Sequence, residues 1–286
     1  MSVRVTPEHL TRDQVLAQLK SLPSLPAVMA DLLASMTQEE VDVEHLARQI
    51  SRDQALTARV LRVANSSFYG LQKKVGSIND AVVVLGFRAV RSMVLAVGMN
   101  GVLKVADCPG FNMQAYFRHG VGVALAARSL AQRLGLNADL AFTAGLLHDI
   151  GRLVLAANFS AQYAQVLAYR HQHDCPLILA ERDLLGLDHA VVGGLLAEAW
   201  HFPDALRAAV VDHHSPASAE ASSLADLIHV ADATAHALGL TNTAEEMVPP
   251  VDRTAWGRLR LNAEKYAMTL PRVLQEMEET CQALSV

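Results

Sequence analysis

The chain has 286 residues, of which 51% are hydrophobic and 19% are charged. This composition can supply a sizeable buried core and excludes an intrinsically disordered chain. The formal net charge is -5 and no cluster of lysine and arginine recurs along the sequence, so charge-driven binding to nucleic acid is not expected.

The cysteines and the apolar runs exclude further classes. Cys108, Cys175 and Cys281 lie far apart, so the sequence predicts neither a zinc ribbon nor a disulfide framework. The first residues lack the apolar stretch of a signal peptide. The longest apolar runs, 81–87 and 93–98, are shorter than the roughly 20 residues that span a bilayer. We therefore expect a cytoplasmic protein with no membrane partner.

Apolar residues recur with helical spacing in nearly every segment, so the predicted fold class is all-α. In the first half, Asp42 is expected to cap one helix and either Ser51 or Asp53 the next. The helices expected there cover about 11–20, 28–36, 43–50, 56–63, 81–85 and 88–97.

A loop around residues 106–110 separates the two halves of the chain. We expect an N-terminal helical subdomain over 1–108, a helical bundle over 109–240 and a C-terminal helical tail over 241–286. Asp139 is the expected cap of the helix that leads into His148. The helices expected in the bundle cover about 112–134, 139–148, 161–171 and 177–185, followed by helices that open near 189, 204 and 224.

The doublet His148-Asp149 lies within an apolar run from Leu146 to Leu155. An ionised carboxylate among leucines costs several kcal/mol unless it is paired, hydrogen-bonded or bound to a cation. Asp149 therefore needs a partner. The doublet alone allows a polar stripe on a helix, an aspartate that fixes the tautomer of the neighbouring core histidine, or a metal site.

Further histidines and aspartates interrupt the apolar helices of the second half, each expected on a different helix. Such a set resembles the metal sites built in the cores of helical bundles, and these ligand types suit one or two ions of Fe, Mn or Zn. Asp149 would be the natural bridge between two ions. The alternative is a set of hydrogen-bonded core histidines and capping aspartates. The candidate ligands are His119, His148, Asp149, His189, His213, His214 and Asp232.

The other histidines are expected to have lesser roles. His229 and His236 fall three residues before and four after Asp232, on the same helical face, so either is expected to hydrogen-bond a ligand. The histidines expected to be exposed or capping are His9, His45, His171, His173 and His201.

The candidate ligands resemble the HD superfamily, whose metal-dependent phosphohydrolases share a His, His-Asp, Asp signature on an all-α fold. The residues that match are His119, the doublet His148-Asp149 and Asp232. The remaining candidates, His189 and His213-His214, are similar to the extra ligands of the two-metal branch, which includes the HD-GYP cyclic-dinucleotide phosphodiesterases.

From about Leu22 to about Ala237 the chain is similar to the HDOD family, the HD-related output domains of bacterial signal transduction. This resemblance implies a helical N-terminal subdomain packed on an HD-like helical bundle, with a regulatory role in two-component or cyclic-dinucleotide signalling. The segments that carry it are Leu22–Pro26, Asp53–Gly70, Ser77–Gly86, Leu147–Gly151, Gly186–Ala190 and Trp200–Pro203.

The sequence departs from the HD-GYP enzymes at three places. No Gly-Tyr-Pro follows His214, Arg152 stands where those enzymes carry a lysine, and Ala115 supplies no carboxylate one turn before His119. Arg152 can still contact a phosphate. We expect a regulatory module without catalysis that binds a signalling protein or a small nucleotide. The alternatives are a phosphohydrolase acting on a nucleotide or cyclic dinucleotide, and a purely structural bundle.

Overall fold

A computed structural model describes most of the chain. Some positions named above lie outside the described part. These are the first eight residues, residues 23, 24, 67, 68 and 70 of the motifs, and most of the polar segment 215–223. The described residues are 9–22, 25–36, 38, 40–66, 69, 71–99, 103, 105, 107–216, 223–241, 243 and 246–284.

Every regular element in this described part is a helix, which confirms the predicted all-α fold class. The first six helices are α1 (Arg12–Ser21), α2 (Ala27–Ala34), α3 (Val43–Arg52), α4 (Gln54–Ala64), α5 (Ile78–Leu85) and α6 (Phe87–Met99). The next eight are α7 (Met113–Leu134), α8 (Ala138–Leu147), α9 (Ile150–Asn158), α10 (Ser160–His173), α11 (Leu177–Leu185), α12 (His189–Ala199), α13 (Asp204–Asp212) and α14 (Ser223–Ala237). The C-terminal tail forms α15 (Arg253–Arg258), α16 (Ala263–Ala267) and α17 (Leu270–Leu284).

Polar side chains at the helix starts fix where several helices begin. Asp53 is the cap of α4, since its carboxylate accepts a hydrogen bond from the Leu56 N–H at 2.9 Å. The predicted cap of α8 was wrong. Asn137 accepts from the Leu140 N–H at 3.1 Å, whereas Asp139 lies inside the first turn of that helix.

Two glycines let helices of the bundle approach each other closely. A Cβ added at Gly145 on α8 would lie 2.6 Å from the Ala124 Cα on α7. A Cβ added at Gly151 on α9 would lie 1.9 Å from the carbonyl oxygen of His189 on α12. Both contacts exclude any larger residue. They bring the α8–α9 junction against α7 on one side and α12 on the other.

The N-terminal helices and the tail both pack on this bundle. The Ser92 hydroxyl on α6 donates to the Asp139 carbonyl at 3.0 Å, which joins α6 to α8. In the tail, Arg258 donates through Nε to Asp226 Oδ2 at 2.7 Å, and α17 packs along α7. The tail is therefore anchored to α14 and α7, the two helices that carry the first and last candidate ligands.

The segment Ala138–Asn158 is long and apolar enough, by length and composition, to cross a membrane. In the structure it is α8 followed by α9, and most of it is buried against neighbouring helices. Core helices of folded proteins have the same apolar composition.

Candidate metal centre

The seven predicted ligands lie together at the centre of the bundle, and six of them are almost fully buried; His214 is partly exposed. They come from five regions of the chain. His119 lies in α7, the doublet His148-Asp149 at the α8–α9 junction, His189 at the start of α12, His213-His214 directly after α13, and Asp232 in α14.

The two doublets lie at helix ends rather than within helices. His148 closes α8 and Asp149 precedes α9, so the helix expected over about 139–148 ends at the doublet and the rest of the apolar run forms a separate helix, α9, that the sequence did not predict. His213 likewise closes α13. At a bend, two successive side chains can reach into the same space, and each doublet therefore supplies two groups to the cluster.

One group of donors surrounds a single oxygen of Asp149. The Oδ1 atom lies 3.1 Å from His189 Nε2 and 3.6 Å from His213 Nε2. His214 Nε2 lies 2.9 Å from His189 Nε2. These four residues offer donor atoms that all lie within 4.8 Å of one another, a spacing that one metal ion can bridge.

A second group lies around Asp232. Its Oδ1 atom is 3.1 Å from His119 Nε2, 3.5 Å from His236 Nε2 and 3.9 Å from His148 Nε2. The other oxygen of Asp149, Oδ2, lies 3.8 Å from His119 Nε2. Asp149 thus contacts both groups, as a carboxylate shared by two cations would.

Hydrogen bonds on the far side of the rings orient the donor nitrogens. His148 Nδ1 lies 2.7 Å from the Gly145 carbonyl and His213 Nδ1 lies 2.9 Å from the Val210 carbonyl. A carbonyl only accepts, so each Nδ1 carries the hydrogen and each Nε2 presents a lone pair. Among the described residues, His213 Nε2 has no hydrogen-bond partner. Lone pairs converging on a carboxylate leave a place for a cation, and the donor set fits a divalent metal.

The charges of the cluster favour a cation at the same place. Burial lowers the pKa of His148 to about 3, which keeps this imidazole neutral. Burial acts to raise the pKa of Asp149, but His148 and Arg152 outweigh it and hold that pKa well below its usual range. Burial acts to lower the pKa of His189, yet Glu181 and Asp149 outweigh it and raise that pKa to about 10. Positive charge is therefore stabilised beside Asp149.

Glu181 is the main residue of the site that sequence reasoning missed. It is fully buried on α11, and its Oε2 lies 2.6 Å from His189 Nδ1 and accepts the His189 backbone N–H at 2.9 Å. Its other oxygen accepts from the Tyr163 hydroxyl at 3.2 Å. A carboxylate behind a histidine ligand fixes the ring and makes it a better donor. Its position in an amphipathic helix gave no signal of this role.

His229 and His236, expected to support the ligands, take different positions. His229 Nδ1 donates to the His213 carbonyl at 2.7 Å, and His229 Nε2 accepts the Asp252 backbone N–H at 2.9 Å. His229 therefore holds the backbone of His213 in position. His236 faces Asp232 directly, as described above. The structure therefore adds His236 to the residues whose donor atoms meet in the cluster.

Arg152 lies at the edge of the cluster. Its Nη1 donates to Asp149 Oδ2 at 2.8 Å, and its guanidinium lies over the Tyr116 ring, 5.7 Å from the centroid. The arginine thereby holds the shared carboxylate in place. Its remaining N–H groups are the ones that a phosphate would contact.

A cavity of about 460 Å³ opens beside the cluster. Arg152, Arg170 and Arg182 line its walls. Six of the clustered residues also line it, namely His119, Asp149, His189, His214, Asp232 and His236. A small molecule in this cavity would touch the donors themselves.

An all-helical bundle with buried histidines and one further aspartate, Asp232, gathered near the Asp149 carboxylate at a helix junction defines a protein of the HD type. The chain belongs to the HDOD family, since the family model for the HDOD domain matches residues 22–216, more than half of the chain. This confirms the resemblance found in the sequence. Asp232 and His236 lie beyond the matched residues.

Solved structures share the fold of this chain, and a curated protein is related to it in sequence. A proposed phosphohydrolase from Shewanella amazonensis is 31% identical, with a TM-score of 0.76 over 95% of this chain and 98% of that chain. A proposed signal transduction protein from Marinobacter aquaeolei is 24% identical, with a TM-score of 0.80 over 99% of this chain and 64% of that one. An uncharacterised protein of Treponema pallidum is 25% identical over 92% of this chain and 51% of its own length. The chain thus spans about half of that relative.

Proposed function

We propose that this HDOD protein is a regulatory module that holds one or two divalent metal ions in the His/Asp cluster and binds a small phosphorylated ligand, of the nucleotide or cyclic-dinucleotide class, in the adjoining cavity. Binding there would be reported to a signalling partner in the cytoplasm. The observation that carries the proposal is that six of the clustered residues and three arginines line the same cavity.

The cavity wall supports a phosphorylated ligand. Arg182 is about half exposed and donates to Asp188 Oδ2 at 2.7 Å, which holds its guanidinium at the cavity wall. Arg152 lies deeper, against Asp149. Guanidinium groups bind phosphate oxygens with charge-assisted, often paired hydrogen bonds. Metal ions in the cluster would neutralise further negative charge on the same ligand.

The test is calorimetric titration of Mn²⁺-loaded protein with GMP, GTP and cyclic-di-GMP. We expect at least one of them to bind, and Arg182→Gln to weaken that binding about tenfold through the loss of one charged contact. Arg52→Gln, at an exposed position on α3, is the matched control and should bind as the unaltered protein does. Failure of all three probes to bind would overturn the proposed ligand class.

A second candidate function is hydrolysis of such a ligand. Asp149 contacts both donor groups, and two metal ions about a shared carboxylate would activate water and clamp a phosphoester. The likeness to the Shewanella amazonensis protein favours the same activity. Against it stand Ser215-Pro216 in place of Gly-Tyr-Pro and Ala115 in place of a carboxylate.

Turnover decides between the two functions. Metal-loaded protein is incubated with a phosphoester panel that includes cyclic-di-GMP and nucleoside monophosphates, and product is measured by chromatography. The regulatory proposal predicts binding without product. Product formation that disappears in Asp149→Asn would establish the hydrolase instead.

A further inference from the structure

His236 lies beside Asp232 and His119 with one ring nitrogen directed at the cluster. Its Nε2 atom is 3.5 Å from Asp232 Oδ1, and its ring centroid is 4.6 Å from that of His119. It follows Asp232 by four residues on α14, so both side chains leave the same face of the helix. The donor atoms of these three residues all lie within 4.8 Å of one another.

Glu246 fixes the ring of His236 from behind. Its Oε1 lies 3.0 Å from His236 Nδ1, and the Thr241 hydroxyl donates to its other oxygen. Because the carboxylate accepts a hydrogen from Nδ1, the lone pair of the imidazole stays on Nε2, which faces Asp232. The arrangement repeats the pair of Glu181 and His189 on the opposite side of the cluster, where the distance is 2.6 Å.

We propose that His236 is a ligand of a second metal ion, bound between His119 and Asp232, and that Glu246 is its positioning residue. This inference rests on the proposed metal centre. Both residues lie beyond the 22–216 range that matches the HDOD domain, so the second ion is tied to the segment that joins α14 to the tail. The ion around Asp149, His189 and His213 does not need them.

The test counts and titrates Mn²⁺ in the full-length chain by elemental analysis and calorimetry. The unaltered protein should bind two ions. His236→Ala should retain one ion and bind the other at least about 100-fold more weakly, and Glu246→Gln should weaken the same ion about tenfold. Asp149→Ala should lose both ions. His45→Ala, which removes an exposed imidazole on α3, is the matched control and should keep two.

A second readout reports ligands independently of any activity. With Co²⁺ in place of Mn²⁺, loss of an imidazole ligand changes the visible absorption spectrum, and added free imidazole should restore it in His236→Ala. Circular dichroism of the metal-free proteins checks that each variant is folded. If His236→Ala does not fold, Glu246→Gln replaces it as the test variant.

The outcomes separate this inference from the metal centre itself. If His236→Ala, or Glu246→Gln in its place, binds both ions as tightly as the unaltered protein, His236 is not a ligand and the metal centre stands. If folded His236→Ala loses both ions, the assignment to a second ion alone is wrong. If the unaltered protein binds no Mn²⁺ and no Co²⁺, the metal centre and this inference fail together.

Discussion

At the scale of single residues, the hydrogen bond from His189 to Glu181, 2.6 Å long, orients a ring of the donor group around Asp149. Glu181→Gln keeps the size of the side chain but removes the charge that favours a cation. We expect Mn²⁺ affinity to fall about 10- to 100-fold, measured by calorimetry, since partners behind a histidine ligand typically contribute that much. Asp183→Asn removes a charge from an exposed site on the same helix and should leave affinity unchanged. Equal affinities for the two variants would contradict this role for Glu181.

Single residues also show how far the sequence predicts the site. The seven predicted ligands could be identified because each is a polar side chain that interrupts an apolar segment, a pattern visible without a structure. Glu181 carries no such mark, because its burial is produced by Tyr163 and His189, which come from other helices. His236 could be placed on the face of Asp232, but its distance from His119 depends on how α14 packs against α7.

At the scale of helices, the close contact of α9 with α12 holds Asp149 beside His189. Gly151→Ala would place a methyl group 1.9 Å from the His189 carbonyl oxygen and 2.7 Å from the Gly193 nitrogen. Since both neighbours are backbone atoms, the two helices must move apart. We expect a loss of about 3 kcal/mol in the free energy of unfolding, measured with urea, and weaker Mn²⁺ binding.

Gly257 provides the matched control for this substitution. It also lies within a helix, α15, and an added Cβ would meet nothing within 4 Å. Gly257→Ala should leave stability unchanged or raise it by up to about 1 kcal/mol, because alanine favours the helix. A similar effect of the two substitutions would show that the α9–α12 contact does not limit packing.

Helix boundaries show a physical limit of sequence reasoning. Thr143, Leu146 and Ile150 have the spacing of one continuous helix, and the nearby glycines Gly145 and Gly151 lie within helices rather than at the bend. The chain nevertheless bends at His148-Asp149, where the polar side chains turn towards donors from α7, α12 and α13. The sequence predicts that the first helix ends near 148, but not that α9 follows at once, because long-range contacts decide how the chain continues after the doublet.

At the scale of the whole molecule, metal ions in the cluster would connect α7, the α8–α9 junction, α12, the end of α13 and α14. These elements are distant in sequence, and the unfolded chain does not bring their donors together. An ion that binds only the folded state adds about 2.7 kcal/mol of stability at a free concentration 100 times its Kd. For a chain of this length we expect Mn²⁺ to raise Tm by roughly 5 °C relative to protein in EDTA.

Asp149→Asn is the control for the thermal measurement. In metal-free protein, Asp149 and Asp232 are buried carboxylates held by histidines and Arg152, and a cation relieves the cost of their burial. Asp149→Asn removes the shared ligand together with one buried charge. Its Tm in Mn²⁺ should therefore differ little from its Tm in EDTA, whereas the unaltered protein shows the full difference. An equal rise in both proteins would mean that the ion stabilises the fold at some place other than this cluster.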